Sequence, residues 1–279
     1  DQITWTGTYT PTNSYEDSSN TVALANTWTD TAGNTGTTAT TSNFAVDTLR
    51  PTLSSVAIAT NGDGAASNGD TVSLTFTSSE ALTANPTCTI SDSGAAMANS
   101  VSVSKSGLDY TCAVIVADDD ANGAVTYSIA FTDAAGNAGT AVTSGSGSVT
   151  IDNTHPTLDP VSIATNGDGD ASNADTVSLT FTASEALLAN PTCTISDSGA
   201  AMANAVSVSN NGLAYTCAVV VADDDANGAI TFSIAFTDAA GNVGTAVTST
   251  SDSTSVTIDN THPTLDPVSI ATNGDGDAS

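Results

Sequence analysis

Residues 86–99 have the sequence PTCTISDSGAAMAN, and residues 191–204 repeat it letter for letter. A second block, FTDAAGN, occupies residues 131–137 and occurs again at residues 236–242. Self-similarity over such long blocks predicts a tandem array in which each repeat forms one structural unit.

The tripeptide Pro-Thr-Leu marks the beginning of each repeat. It starts at Pro51, Pro156 and Pro263, so the spacing is 105 residues and then 107. We expect the two extra residues between Thr248 and Val256, where a surface loop before the last strand tolerates insertion.

These boundaries divide the chain into two complete and two partial repeats. The stretch WTDTAGN, residues 28–34, corresponds to FTDAAGN and places the N-terminal region in the second half of a repeat. We therefore expect the chain to be part of a longer polypeptide. The predicted organisation is residues 1–50 as the C-terminal half of a repeat, 51–155 and 156–262 as complete repeats, and 263–279 as the first strand and loop of a further repeat.

Alternation of apolar and polar residues, interrupted by turn-forming Gly, Asn and Asp, predicts an all-β fold. No apolar pattern of helical period is present. Seven short strands in a repeat of this length are typical of an immunoglobulin-like sandwich. A closed barrel is the alternative, but a Pro at each repeat boundary favours separate sandwiches arranged head to tail as a rod. In the first complete repeat the predicted strands lie near residues 54–60, 71–77, 87–91, 100–104, 110–116, 125–132 and 148–152.

The resemblance becomes specific between Phe44 and Leu82. This run contains FxVDTxRPTLxxVxIA at its start and GDTVxLTFTxSEAL at its end. It is similar to the bacterial Ig-like repeats of large surface adhesins and related extracellular proteins, and the similarity extends over essentially the whole chain. The resemblance implies an extracellular or cell-surface location and a role in adhesion, although it does not specify a ligand.

The charge balance excludes two classes of partner. Thirty Asp and Glu residues face only two basic ones, Arg50 and Lys105, which gives a formal net charge of −28. Such a chain repels nucleic acid and anionic membranes, and it has no apolar run long enough for membrane insertion. Partners are expected to be neighbouring repeats, copies of the chain itself, or a cell-surface or glycan ligand outside this segment. The acidic surface is either solvated in a salty medium or neutralised by bound cations.

The four cysteines form two pairs at the same spacing, 24 residues apart: Cys88 with Cys112, and Cys193 with Cys217. One pair per repeat predicts one disulfide per repeat and an oxidising compartment. Closing a loop of this length contributes about 3 kcal/mol to stability. Buried free thiols are the alternative, and a zinc site is disfavoured because no CxxC spacing occurs.

Acidic side chains recur in the loops that a sandwich would place where one repeat meets the next. Calcium needs six to eight oxygen ligands, so this clustering predicts calcium sites at the junctions. Asp and Asn are also ordinary turn formers, which is the competing explanation. The predicted ligands are Asp63, Asp70, Glu80, Asp118, Asp119, Asp120, Asp133, Asn137, Asp152, Asn153, Asp168, Asp170, Glu185, Asp223, Asp225, Asp238, Asn242 and Asp259.

Catalysis has little support in the sequence. His155 and His262 occupy the position before Pro that Arg50 fills upstream, which favours a linker role over a general base. No nucleophile elbow, phosphate loop or HExxH motif is present. The chain is therefore predicted to be non-enzymatic.

The predicted function is that of an extracellular structural protein. In this prediction, a calcium-stiffened rod of Ig-like repeats forms a surface filament, an appendage or an adhesin stalk. Two alternatives stay open: a subunit of a surface layer or sheath, and non-catalytic repeats appended to a secreted enzyme.

Overall fold

The computed structural model describes residues 4–62 and 64–270, and every regular element in those ranges is a β-strand. None of the described residues belongs to a helix long and apolar enough to cross a membrane. The strands in chain order are β1 (Glu16–Asn20), β2 (Ala23–Leu24), β3 (Ala39–Thr40), β4 (Phe44–Asp47), β5 (Leu53–Thr60), β6 (Thr71–Ser78), β7 (Thr87–Asp92), β8 (Ala95–Ala96), β9 (Ser102–Ser106), β10 (Asp109–Ile115), β11 (Gly123–Ala130), β12 (Thr150–Ile151), β13 (Leu158–Thr165), β14 (Thr176–Ala183), β15 (Thr192–Asp197), β16 (Ala200–Ala201), β17 (Ser207–Asn211), β18 (Ala214–Val220), β19 (Gly228–Ala235) and β20 (Thr257–Ile258).

The chain forms two compact units, residues 1–153 and 154–279. Each unit contains two four-stranded antiparallel sheets around one apolar core. In the first unit the strand orders are β5-β6-β10-β9 and β12-β11-β7-β8, and two small sheets, β1-β4 and β2-β3, precede them. In the second unit the orders are β13-β14-β18-β17 and β16-β15-β19-β20. The predicted all-β, Ig-like sandwich architecture is confirmed.

All seven strands predicted for the first complete repeat are present, with bounds that differ by no more than two residues. The sequence pattern missed β8, a two-residue strand that pairs with the end of β7. Two residues are too few to show an alternation. The predicted division into four segments stays a prediction, because the structure separates only two units.

The core of the first unit follows the alternation of β6. Val72, Leu74 and Phe76 are buried, and the threonines and serine between them face outward or lie at the edge of the core. Tyr110 on β10 lies directly opposite Phe76, and the two rings stack with their centroids 5.6 Å apart. Such a cross-strand aromatic pair stabilises the sheet beyond its buried area.

The two predicted disulfides are present. Cys88 on β7 bonds to Cys112 on β10, with 6.4 Å between their Cα atoms. Cys193 on β15 bonds to Cys217 on β18 in the same way. Because β7 and β10 belong to different sheets, each disulfide links the two layers of its sandwich.

The first strand of the first complete repeat, β5, is hydrogen-bonded to the segment that leads into the last strand, residues 142–149, which we call the crossing segment, and the loop after β5 is hydrogen-bonded to the last strand, β12. The amide of Ile58 on β5 donates to the carbonyl of Ser146, and the amide of Ser146 donates to the carbonyl of Val56, at 3.0 and 2.8 Å. Further along, the amide of Ala66 donates to the carbonyl of Thr150 at 2.7 Å. Both contacts are parallel bridges. The beginning and the end of the repeat therefore run side by side in the same direction.

The two-residue insertion of the second repeat falls in its crossing segment, residues 247–256. Ser251 still donates its amide to the carbonyl of Val161, at 2.9 Å. The amide of Ile163, however, donates to the hydroxyl of Thr254 at 3.0 Å instead of to a backbone carbonyl. Asp252 accepts hydrogen bonds from the amide and hydroxyl of Thr254 and so holds the extra turn in place. The insertion lies inside the predicted interval and keeps both contacts to β13.

The close approach explains a glycine in the first unit. Gly147 has a φ of +78°, and a Cβ there would lie 2.2 Å from the carbonyl oxygen of Ile58. A larger residue at this position would push the crossing segment away from β5.

One difference between the two repeats yields a stability prediction. Ser78 is 1% exposed, and its hydroxyl has no hydrogen-bond partner, whereas the corresponding Ala183 is 2% exposed and apolar. Because a buried unpaired hydroxyl is destabilising, Ser78→Ala should raise the free energy of unfolding by about 1 kcal/mol. Ala183→Ser should lower it by a similar amount, and denaturant unfolding of each variant measures both effects. Destabilisation by Ser78→Ala would contradict this account of the site.

Candidate metal centre

Three carboxylates converge in the first unit. Asp47, Glu80 and Asp133 each offer one oxygen, and the three oxygens lie within 4.8 Å of one another. Asp47 ends β4, Glu80 follows β6, and Asp133 lies in the turn after β11. We call this group the carboxylate triad. Three elements that are distant in sequence therefore contribute one acidic group each.

Backbone contacts bring these elements together. Leu82 and Asp133 form an isolated antiparallel bridge, and the amide of Thr83 donates to the carbonyl of Thr132 at 3.0 Å. The loop that carries Glu80 is thereby fixed against the turn that carries Asp133. The side-chain amide of Asn137 donates to the carbonyl of Asp47 at 3.2 Å and fixes the end of β4 beside them.

Asp133 also organises its own turn. Its Oδ1 accepts hydrogen bonds from the amides of Ala135 and Asn137, at 2.9 and 2.8 Å, and its Oδ2 accepts one from the Asn137 side chain at 2.9 Å. Asp133 is 0% exposed. Burial alone would raise the pKa of Asp133, but these hydrogen bonds to the ionised form outweigh it and leave the pKa below its ordinary value. The buried carboxylate is therefore kept charged.

The pKa of Glu80 is shifted in the opposite direction from that of Asp133. Burial raises the pKa of Glu80, and the negative charges of Asp133, Asp47 and Glu16 raise it further. Among the residues that the structure describes, none of the triad carboxylates forms a salt bridge with a Lys or Arg. Like charges about 5 Å apart repel each other by roughly 1 kcal/mol per pair even in bulk water. The arrangement thus concentrates negative charge without a basic side chain to neutralise it.

This donor set is suited to a hard divalent cation. Carboxylate oxygens are the preferred ligands of calcium, which also accepts backbone carbonyls and water to complete six to eight positions. Asp47, Glu80 and Asp133 would hold the ion, and its charge would offset the repulsion among them. Asn137 contacts the triad through its amide nitrogen, and so it acts as a hydrogen-bond donor in this arrangement.

Other predicted ligands have a structural role in loops of the first unit. Asp120 is buried, and its two oxygens accept hydrogen bonds from the amides of Ala98 and Ala117 at 2.7 and 2.8 Å. Asp70 accepts hydrogen bonds from the amide and hydroxyl of Ser67. These contacts account for both residues without an ion, and their role as ligands stays a prediction.

Two further predicted ligands, Asp152 and Asn153, lie at the exit of the last strand of the first unit. The amide of Asn153 donates to Oδ1 of Asn122 at 2.7 Å, and the Asn122 side chain donates to Asp152 at 3.3 Å. Asn153 also donates its side-chain amide to the carbonyl of Ala117 at 2.9 Å. This cluster is held together by amide side chains, and its binding of a cation is untested.

In the second unit, Glu185 and Asp238 offer carboxylate oxygens within 4.8 Å of each other. Asp238 organises its turn as Asp133 does, accepting hydrogen bonds from the amides of Ala240 and Asn242 and from the Asn242 side chain. The sequence motif and its turn are therefore reproduced in both units.

The remaining predicted ligands fall into four groups. Asp225 accepts backbone hydrogen bonds as Asp120 does, and Asp259 accepts one from the amide of Thr261, which lowers the pKa of Asp259. A carboxylate oxygen of Asp223 lies 3.7 Å from Nε2 of His262, and both side chains are exposed. Asp63 lies outside the described residues. Four more predicted ligands are on the exposed surface and do not join the triad: Asp118, Asp119, Asp168 and Asp170.

Asp47 was missing from the predicted ligands. Its signal was nevertheless present in the sequence, because Val46-Asp47 precedes Arg50-Pro51 as Ile151-Asp152 precedes His155-Pro156. Asp152 was chosen and Asp47 was not, although the two occupy the same position of the repeat.

Comparisons with known proteins agree with the bacterial Ig-like resemblance. Residues 1–46 match a family model described as a bacterial Ig-like domain, which confirms that resemblance for this segment. No curated protein matches the sequence of this chain.

Solved structures with tandem Ig domains are similar in part. The titin I-band fragment I67–I69 is 10% identical with a TM-score of 0.41, and the match covers 75% of this chain and 65% of that one, so this chain spans less than two thirds of the fragment. The titin domains Z1Z2 in complex with telethonin are 15% identical with a TM-score of 0.27, covering 76% of this chain and 97% of that one. A tetra-tandem repeat from the extending region of a large adhesion protein is 19% identical with a TM-score of 0.32, covering 86% and 56%.

The turn organised by Asp133 has an exposed counterpart in the first unit, at residues 28–34. The carboxylate of Asp30 accepts hydrogen bonds from the side chain and the amide of Asn34, and these lower the pKa of Asp30. The turn is therefore stabilised above the unfolded pKa, and this stabilisation is lost as the pH falls through the lowered value. Asn34→Ala should shift the pKa of Asp30 upward, measured by NMR of its carboxyl carbon.

The control for this titration is Asn43→Ala, because Asn43 donates to the carbonyl of Ser18 and makes no contact with Asp30. It should leave the pKa of Asp30 where it is in the native chain. An equal shift in both variants would show that the side-chain hydrogen bond from Asn34 is not the cause.

Proposed function

We propose that this chain is an extracellular, non-catalytic structural protein whose Ig-like repeats bear tension in a cell-surface appendage or adhesin stalk, and that bound calcium stiffens it. The observation that carries the proposal is that, in each complete repeat, the first strand and the loop after it are hydrogen-bonded to the crossing segment and the last strand. One disulfide per repeat supports an oxidising location outside the cytoplasm.

Tension applied at the two ends of a repeat acts on these strands in opposite directions. Because the bridges between the bonded segments are parallel, such a force shears their hydrogen bonds together instead of opening them one at a time. The second unit has the same arrangement: the amide of Ala171 donates to the carbonyl of Thr257 at 2.7 Å, and the amide of Asp259 donates to the carbonyl of Ala171 at 2.9 Å. Simultaneous loading of several bonds supports a tensile role.

The disulfides limit how far a repeat extends if it does unfold. Cys88 and Cys112 are 24 residues apart, and the chain between them cannot lengthen while the bond is intact. The crosslink also keeps β7 and β10 together after the other contacts are lost. An unfolded repeat therefore retains a compact loop from which it can refold.

Single-molecule pulling of the full chain tests this role. Each complete repeat should unfold in one all-or-none force peak. In the variant Cys88→Ser with Cys112→Ser, one repeat should release about 80 Å of additional contour length, because 24 more residues extend at about 3.3–3.6 Å each. The second repeat, whose disulfide is intact, serves as the internal control. Gradual extension without a force peak would count against a tensile function.

The carboxylate triad supports the calcium part of the proposal. Asp47 belongs to the strand that precedes the complete repeat, whereas Glu80 and Asp133 belong to loops of that repeat. An ion held by all three would link β4 to the loops that follow β6 and β11. It would also neutralise charge on a chain of net charge −28.

Extracellular fluids can supply such an ion. Extracellular modules commonly bind calcium with dissociation constants of about 10⁻⁴–10⁻³ M. A site of this affinity is filled outside the cell and empty in the cytoplasm. The proposed stiffening would therefore develop after export.

Calcium titration of the native chain should show binding that raises the Tm, and chelation should reverse the increase. Glu80→Gln removes one charged ligand and should weaken binding at the triad by about tenfold or more, because affinity follows the number of charged ligands. Calorimetric titration measures the affinity and the number of ions bound.

The matched control is Asp119→Asn, which removes one charge from an exposed loop outside the triad. It should leave calcium affinity and stoichiometry unchanged within error. The calcium proposal fails if the native chain binds no calcium at millimolar concentration, or if Glu80→Gln binds it as the native chain does.

A further inference from the structure

The second unit has an open sheet edge at β17. This strand ends the sheet β13-β14-β18-β17, and Ser207, Ser209, Asn210 and Asn211 on it are exposed. Its inner side pairs with β18, and no other strand of the unit's described residues pairs with its outer side. Alternate backbone N–H and C=O groups of an edge strand point outward and can accept another strand.

The hairpin β17–β18 also lacks charge. No charged side chain occurs from residue 198 to residue 222, although the chain has a net charge of −28. In the first unit the equivalent hairpin, β9–β10, carries Lys105 and Asp109, whereas the second unit has Asn210 and Ala214 at these positions. The two hairpins are otherwise alike in length and pairing.

Both exchanges, of Lys105 for Asn210 and of Asp109 for Ala214, make the edge of β17 more open to another strand than the edge of β9. A Lys on an edge strand blocks pairing with another chain, because docking would bury its charge against the incoming backbone. The edge of β9 carries this protection and the edge of β17 does not. Leu213 in the turn and Val220 at the end of β18 are 39% and 45% exposed, which adds apolar surface beside the open edge.

We propose that β17 is an interface at which two copies of this chain pair edge to edge. Strong mutual repulsion opposes contact between acidic surfaces of two copies, so an uncharged surface is where their approach is least opposed. Two identical strands that run antiparallel form a closed, two-fold symmetric contact. Pairing would join two four-stranded sheets into one continuous sheet.

The side chains on β17 suit such a pair. Serine and asparagine at the exposed positions can hydrogen-bond across a strand pair, and the two copies present the same sequence, SVSNN, to each other. Five residues span about 17 Å, so the contact is short and its occupancy depends on concentration. This inference does not depend on calcium or on a tensile role.

Sedimentation velocity of the native chain over a range of concentrations tests the proposal. A reversible dimer should form, and added sodium chloride should strengthen it, because salt screens the repulsion between copies. The double variant Asn210→Lys with Ala214→Asp transfers the charges of the first repeat to the second and should weaken dimerisation by about tenfold or more.

The reciprocal variant Lys105→Asn with Asp109→Ala removes the charges from the first repeat and should increase association by creating a second open edge. Both variants use residues that the same fold already accommodates at these positions, and circular dichroism checks that folding is retained. A native chain that stays monomeric at millimolar concentration and high salt would overturn the proposal. A dimer that is equally strong in the Asn210→Lys, Ala214→Asp variant would overturn it as well.

Discussion

Each complete repeat must hold two four-stranded sheets together with few aromatic side chains, which make up 5% of the sequence. The disulfide between β7 and β10 meets this constraint by a covalent bond through the core. Around it, the side chains of Val72, Leu74 and Val114 point inward from β6 and β10, and one stacked Phe–Tyr pair spans the two strands. The crossing segment, which leads into the last strand, is hydrogen-bonded to β5 and so joins the end of the repeat to its beginning. Without the crosslink, the remaining apolar contacts would have to maintain all of this order.

The acidic residues serve two purposes that are easily confused in the sequence. Asp30, Asp120 and Asp133 accept backbone hydrogen bonds and hold loops in place. At the triad, the same kind of side chain also accumulates charge that no basic residue of the described chain neutralises. Asp133 belongs to both groups. Its turn bonds orient the carboxylate, and that orientation is what directs one oxygen toward Asp47 and Glu80.

The near-identical repeats act as internal controls for one another. The exchange of Ser78 for Ala183 changes a buried hydroxyl without changing the backbone bonds around it. The insertion near Asp252 lengthens a loop, yet both contacts to β13 are retained because the Thr254 hydroxyl replaces a carbonyl. The loss of charge from Lys105 to Asn210 leaves the strand pairing of the hairpin intact while it removes the charge from the outer edge and the contact of Lys105 with the Tyr110 ring. The fold therefore tolerates changes that alter what its surfaces can do.

The sequence alone determined the strands and the disulfides. Strands have a period of two, so alternation located seven of them within two residues, and the equal spacing of one cysteine pair per repeat indicated both disulfides. Only the tertiary structure showed the short strand β8 and the partners of each carboxylate. Asp120 and Asp47 look equally suitable in the sequence, but one binds backbone amides and the other faces Glu80 and Asp133. The physical reason is that convergence depends on how loops pack across the sandwich, over distances that local sequence patterns do not specify.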